Sequence, residues 1–562
     1  MPHVNEDGAH RVVCLATGAN SAQRLKSLDL ENATPIPSHN QRNIVYVHGQ
    51  RFWSITAVMS ILMFLVFLEI PIVITGAVAI TDSLGGPGSA NWIVTSYLLG
   101  YIGVIVIFAK LSDILGRKFM LLVSAAFFII FSAACGASQT LVQVIVFRAF
   151  QGIGGGGCYS ICTIIMMEVV PPEKYTKYVS YINITSALSL LSGPIIGGAI
   201  AARTTWRWIF LINVPIATIA FIVALVSIPN RFPYHGSLSH DQPEKPKHFV
   251  SKEILSRVDI LGAVLLLFST VGLTAAFEEA DSLFPWKSPY VITLLTASGI
   301  LYLVLAIWER HVTLAEKVTE PILPWRFFLN RRMISILLDQ FLLGGPTLIG
   351  MFILPQRFQI VYGLSGLDAG VRLIPFSFAI PVATIFAAGL AGKKKIPLMY
   401  IFMSGACLQV VGFALLGTLP LTPGIPARIY GYELIAGWGC GMNFSLLTIA
   451  LPLVNENRDR ATSMAAGAQF RLMGSTIVLS ISTSVFNSYL RLHLNDALAS
   501  ADGTDLNSLV YAMHNPAEAA SEQIRFTLAE GYNRQTLVLC VAAALQVPAS
   551  LLLWNKKAHL VA

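Results

Sequence analysis

The nine residues KLSDILGRK, Lys110–Lys118, separate two runs, Ser83–Ala109 and Phe119–Phe147, that contain no Asp, Glu, Lys or Arg. At 1.5 Å per residue, either run is long enough to cross the roughly 30 Å hydrocarbon core of a bilayer as one helix. The charged nonapeptide then reads as a loop between two antiparallel membrane spans. Of the 562 residues 55% are apolar and 12% charged, where soluble domains carry about 25% charged residues. The apolar runs are continuous, unlike the alternating segments of about ten residues in outer-membrane strands, so the expected fold is an all-α membrane protein.

Windows of about twenty residues place spans near 52–80, 91–109, 119–138, 141–170, 178–200, 208–228, 258–277, 289–308, 333–356, 369–392, 396–418, 428–453, 461–486 and 536–554. Fourteen spans leave both termini on one side. If that side is the cytoplasm, 27 Lys and Arg fall in cytoplasmic segments and 9 in external ones, which satisfies the positive-inside rule. The expected domains are a disordered cytoplasmic tail (1–51), an N-terminal six-helix bundle (52–229), cytoplasmic linkers with two inserted helices (230–332), a C-terminal six-helix bundle (333–556) and a cytoplasmic C-terminus (557–562). The tail has no apolar core of the kind a cleavable signal peptide needs. An external loop is expected over 487–535.

Two segments reveal a repeat. RAFQGIGGGG (Arg148–Gly157) aligns with ELIAGWGCGM (Glu433–Met442), matching Gly152, Gly154 and Gly156 with Gly437, Gly439 and Gly441. Span 4 of one half thus corresponds to span 12, and spans 7 and 8 are an insertion between bundles of six. Repeated bundles are a transporter architecture, with the substrate near the midplane where the halves meet.

Several function classes fall away. The net charge of +8 is scattered through short loops and reports topology, not nucleic-acid binding. Six of the seven cysteines lie in apolar runs without metal-ligand spacing, so they read as packing residues, and no metal or other cofactor is expected. GIGGGG lies inside an apolar span with no preceding strand, and no phosphate-binding GxxxxGK[ST] occurs, so an ion gradient is the expected energy source. No nucleophile, base and oxyanion-hole set suggests an enzyme.

The embedded charges carry the chemistry. Glu69 lies mid-span, where a charged carboxylate costs about 2.5–3.5 kcal/mol. It reads as a proton carrier or as a carboxylate hydrogen-bonded to a neighbouring helix. Arg148, about 10 Å deep, needs an acceptor, either as a fixed pair or as a modulator of a carboxylate's proton affinity. Asp339, Glu433 and Arg471 are further coupling candidates. In the opening loop, Lys110, Asp113, Gly116, Arg117 and Lys118 read as a cytoplasmic gate, with Gly116 making the turn and the charges expected to pair across the seam between bundles. Gly193, Pro194, Gly197 and Gly198 form a kinked packing face in span 5.

With these motifs in place, the chain resembles the major facilitator superfamily. AKLSDILGRK is similar to its loop between spans 2 and 3, with Ala109 where Gly is usual, and RAFQGIGGGG to its span 4 Arg motif. LSLLSGPIIGG (Leu188–Gly198) is similar to the antiporter motif, and WRWIFLINVP (Trp206–Pro215) and LEIPIVITGAVAI (Leu68–Ile80) to signatures of fourteen-span drug:proton antiporters. LPQRFQ and ARIYGYE most resemble fungal exporters of toxins and secondary metabolites. Glu69 stands where the family usually has Asp, and AGKKKIP (Ala391–Pro397) occupies the second-half loop without an Asp, so asymmetric gating is expected. The resemblance implies a monomeric, multi-pass plasma-membrane antiporter, with a vacuolar membrane as the other location, that exchanges protons for small amphipathic organic substrates. Siderophore or other uptake, and a non-transporting receptor or scaffold, are the rival readings.

Overall fold

The computed structural model describes residues 46–85, 90–171, 174–230, 232–233, 256–281, 284–315, 318–392, 396–422, 424–498 and 518–554. Nearly all of the expected tail, most of the linker after 230, Lys393–Lys395 of the second-half loop and the C-terminus after 554 lie outside the described residues.

Fourteen long helical elements follow one another: α1 Gln50–Leu84, α2 Ala90–Leu115, α3 Arg117–Ala137, α4 Leu141–Glu168, α5 Tyr175–Arg203, α6 Trp208–Ser227, α7 Ile260–Glu279, α8 Pro289–Ala315, α9 Arg331–Tyr362, α10 Ile374–Gly392, α11 Leu398–Gly417, α12 Arg428–Val454, α13 Arg460–Leu498 and α14 Glu518–Leu551. Thirteen are, within the described residues, long and apolar enough to cross a membrane. The other, α5, is 29 residues long and carries the Ser- and Gly-rich motif. Single residues make the turns. Gly116 joins α2 to α3 at φ 101°, a conformation that a side chain disfavours, while Thr140 caps α4 by accepting from the Gln143 amide at 3.3 Å.

Three boundaries differ from the sequence reading. Helix α13 continues to Leu498 and α14 begins at Glu518, so much of the expected external loop is helix. Hydropathy marks only the apolar part of a helix, whereas backbone hydrogen bonding continues into polar sequence until a breaker intervenes. Helix α9 runs to Tyr362 and takes in Arg357, which the hydropathy window had placed outside.

The repeat is visible in how the glycines pack. A Cβ on Gly152 or Gly156 would sit 2.2 Å from Tyr97 O or 2.3 Å from Tyr101 O on α2, and one on Gly154 would sit 2.4 Å from Phe128 N on α3. In the second half, Gly437 and Gly441 meet Phe376 O at 2.4 Å and Ile380 O at 2.2 Å on α10, and Gly439 meets Gln409 N on α11 at 2.6 Å. Helices 4, 2 and 3 are thus packed as helices 12, 10 and 11 are. Small residues drive such contacts because lipid offers no hydrophobic reward for helix association, so close van der Waals packing must supply the attraction.

The inserted α7 packs on both α2 and α13, and α8 covers α7, so the insertion spans the two bundles. The apolar cores divide by depth. On the side bearing Gln50 and Leu551, here the terminal side, both bundles share one core that joins Ile55–Val66, Met120–Phe128 and Cys158–Val170 to Met333–Leu343, Met442–Leu451 and Ala461–Met473. On the opposite side there are two separate cores, one of the first bundle around Ile72, Ile93 and Phe210 and one of the second around Phe358, Phe376 and Phe413. The bundles stay in contact there where the short helix Gly366–Arg372 meets α5.

Candidate functional site

Glu69 and Arg148 meet in the interior of the first bundle, each 0% exposed, with Arg148 Nη1 2.5 Å from Glu69 Oε2. The other oxygen, Oε1, accepts from Gln151 Nε2 at 2.7 Å and from Asn213 Nδ2. Gln151 Nε2 also donates to Ser132 Oγ at 2.7 Å, and its Oε1 accepts from Arg148 Nη1 at 2.8 Å. Arg148 Nε reaches the carbonyl of Ile93 at 3.0 Å, and the guanidinium lies 4.3 Å from the Tyr97 ring centroid. Five helices, α1, α2, α3, α4 and α6, therefore converge on one carboxylate. The cost of burying both charges is offset by pairing and by the added hydrogen bonds, and removing one partner of such a pair costs about 3–5 kcal/mol.

The other embedded candidates do not join this cluster. Asp339 accepts from Ser550 Oγ at 3.0 Å in the shared core and ties α9 to α14. Glu433 is buried, with no partner for either oxygen among the described residues. Arg471 lies at the seam: Nη1 donates to Gln340 Oε1 on α9 at 3.0 Å, Nη2 to Tyr159 Oη on α4 at 2.6 Å, and Cζ is 4.3 Å from the Phe444 ring centroid on α12. Tyr159 is 5.8 Å from Tyr101, itself 5.8 Å from Tyr97. An aromatic ladder thus leads from the Arg148 site to the seam.

The loop charges pair differently from the expectation. Arg117 bonds Asp113 at 2.5 Å and Glu168 at 2.8 Å, with Nη1 donating to Ser112 Oγ at 2.6 Å, all within the first bundle. Lys118 donates to Asn230 Oδ1 at 3.1 Å. Lys110 alone of the group leaves the bundle, reaching Glu320 at 2.7 Å. Glu320 also holds Arg257 at 2.6 Å, and six residues later Arg326 binds Asp459, at the start of α13, through Nη2 at 2.6 Å and Nε. The segment after α8 is a strap between bundles. Burial alone would raise the Glu320 carboxyl, but Lys110 and Arg257 outweigh it and hold it below its ordinary value of 4.5.

In α5, a Cβ on Gly193 would sit 2.5 Å from Pro71 and one on Gly197 2.7 Å from Ile72 O, so both are close-approach positions against α1. Gly198 is not, because a Cβ there meets nothing within 4 Å. Pro194 lies in the same helix.

Gln151 and Asn213 were inside the motifs read from the sequence but not singled out; Gln151, three residues after Arg148, shares its helix face. Ser132, Tyr159 and Gln340 carried no sequence signal. Arg357 was hidden by the misplaced end of α9. It is 1% exposed and donates to Asn533 Oδ1 at 2.8 Å.

The Major Facilitator Superfamily profile matches residues 58–286. The MFS-type transporter FPY5 of Fusarium mangiferae is 38% identical over 464 residues, covering 82% of this chain and 77% of that protein. The chain belongs to the major facilitator superfamily. Multidrug resistance protein 3 of Bacillus subtilis is 31% identical over 451 residues, 80% of this chain and 82% of the relative. The efflux pump mlcE of Penicillium citrinum is 27% identical over 460 residues, covering 81% of each. Among solved structures, the proton:xylose symporter XylE superposes with a TM-score of 0.54 at 14% identity, over 88% of this chain and 94% of that one. A bacterial Spinster homologue gives 0.54 at 15% identity, over 91% and 100%. At that identity they speak for the fold alone. The chain is a multi-pass membrane transporter of small molecules.

Proposed function

We propose that this member of the superfamily is a proton-coupled antiporter that exports small amphipathic organic molecules by alternating access, as a monomer in the plasma membrane. The terminal side is the cytoplasm in this reading, supported by the 27-to-9 division of Lys and Arg. Relatives named as efflux pumps and a multidrug resistance protein support the direction of transport. The packed terminal side and the divided cores opposite support an outward-facing arrangement, and the inward-facing one follows by rocking one bundle against the other. A scaffold would have no reason to retain a buried, five-helix carboxylate site.

One observation carries the coupling: both Glu69 oxygens are filled by donors, Arg148 on one and two amides on the other. A protonated carboxyl must donate one hydrogen bond; the donors that now fill both positions offer no acceptor, and a turn of the Asn213 amide, whose Oδ1 has no partner among the described residues, would supply one. Proton uptake removes the charge that holds Arg148 and so favours its withdrawal, and Arg148's return favours release of the proton. Because Arg148 also lies against Tyr97 and the aromatic ladder, occupancy of the seam and occupancy of Glu69 become linked equilibria. Glu433, unpaired at the place equivalent to Arg148, is the secondary coupling candidate. The test is export from proteoliposomes with an imposed pH gradient, using a panel of amphipathic probes. Gradient-driven accumulation with counterflow of protons is expected; probe movement indifferent to the gradient would remove the coupling from this reading.

A further inference from the structure

We propose that the bundle seam is an organic-anion site, in which the carboxylate or phenolate of an amphipathic aromatic acid binds Arg471 while its body lies among Phe67, Tyr101, Tyr159 and Phe444. The assignment rests on the transport reading above and names its substrate class. Arg471 is 5% exposed at mid-depth on α13. Its identified acceptors, Gln340 and Tyr159, are neutral, and among the described residues no carboxylate lies within 4.0 Å of it. Arg148 and Arg117, by contrast, are each neutralised by acids at 2.8 Å or less.

A guanidinium carries five N–H donors in a planar fork that suits two carboxylate oxygens. Neutral acceptors and the ring of Phe444 soften its desolvation but leave a full positive charge at the depth where charge is most costly. The missing anion is supplied by the ligand. Position favours this over a purely structural role, because Arg471 touches α4 of one bundle and α9 and α12 of the other, where both must close on a substrate. Phe67, edge-on to Tyr159 at 5.6 Å, and Phe444 keep partial exposure at the seam, which leaves ring surface for an aromatic body. Arg357 also lacks a carboxylate partner, but it is enclosed in the second bundle against Asn533. A cationic ligand at the seam would face the charge of Arg471, with no carboxylate among the described residues within 4.0 Å of that guanidinium to oppose it.

The experiment uses the purified full-length chain in nanodiscs and three probes that share one naphthalene ring: 1-naphthaleneacetate, its methyl ester, and (1-naphthylmethyl)trimethylammonium. Binding is read by calorimetry. The anion is expected to bind about tenfold more tightly than the ester, as one charge-assisted contact allows, and the cation most weakly. Arg471→Gln should bring the anion down to the level of the ester without moving the ester, and Arg471→Lys should keep part of the preference. Should Arg471→Gln fail to fold, the wild-type order of the three probes decides by itself. A cation bound as tightly as the anion, or an anion affinity unchanged in Arg471→Gln, overturns the assignment. If none of the three binds while other compounds are exported down a pH gradient, the assignment fails and the transport reading stands; if no compound is exported, the reading beneath it fails.

Discussion

Glu69→Gln isolates the titrating group, but the geometry makes it an imperfect mimic of the protonated acid. Its amide can place an oxygen before Gln151 and Asn213 only by aiming its NH2 at Arg148. The variant should fold with a modest loss of stability, bind substrate, and lose the pH dependence of binding and of substrate-driven proton release between about pH 5 and 9. Proton release equal to wild type would move coupling to Glu433. Arg148→Ala should cost about 3–5 kcal/mol in thermal or denaturant unfolding, because it leaves a buried carboxylate with amide donors alone. Adding Glu69→Gln to Arg148→Ala should recover part of that loss; strict additivity of the two would show that the pair is not the unit that matters.

At the level of elements, the ion pairs that link the bundles run through the strap between α8 and α9, with Lys110 the residue of the opening loop that joins them. Asp113→Asn leaves Arg117 bonded to Glu168, so only a small rise in labelling of cysteines placed in the terminal-side seam is expected. Glu320→Gln releases Lys110 from the strap, and Asp459→Asn releases Arg326. Each should raise the labelling rate by several-fold more than Asp113→Asn does; equal rates for all three would deny the strap its role. The sign for Glu320 follows from its depressed carboxyl. Its contribution is complete above the ordinary value and is lost only as pH falls through the lower folded value. Closure by the strap should therefore not vary between about pH 6 and 8. In α5, Gly193→Leu should impair or uncouple transport while Gly198→Leu should be tolerated, since only the first meets α1.

For the whole molecule, export of an anion against entry of one proton moves two charges per cycle, and export of a neutral compound moves one. Each charge is worth about 2.3 kcal/mol per 100 mV. In proteoliposomes a potassium-diffusion potential, negative on the side from which the probe leaves, should accelerate 1-naphthaleneacetate more than its methyl ester. Equal acceleration would mean that the anion leaves with an additional proton. The divided cores also bear on motion. The five-residue π-helical turn Gly345–Ile349 in α9 falls between Leu343 of the shared core and Ile349 of the second bundle's own core. That places an irregular turn at the depth where the bundles part.

The spans, the repeat and the buried acid were legible in the sequence because each obeys a local rule. A bilayer demands about twenty apolar residues per helix, close packing demands glycine at fixed offsets, and a charge in an apolar run has a cost that function must justify. Gly116 and the RAFQGIGGGG alignment are read from neighbours in the chain. Partnership is not local. Asn213 reaches Glu69 across 144 positions and Tyr159 reaches Arg471 across 312, and no spacing rule links such pairs. Only the packed bundles could decide that Arg117 turns inward to Glu168, that Glu320 pairs with Lys110, and that a side chain at Gly198 would meet nothing, because each outcome depends on which helix face its neighbour occupies.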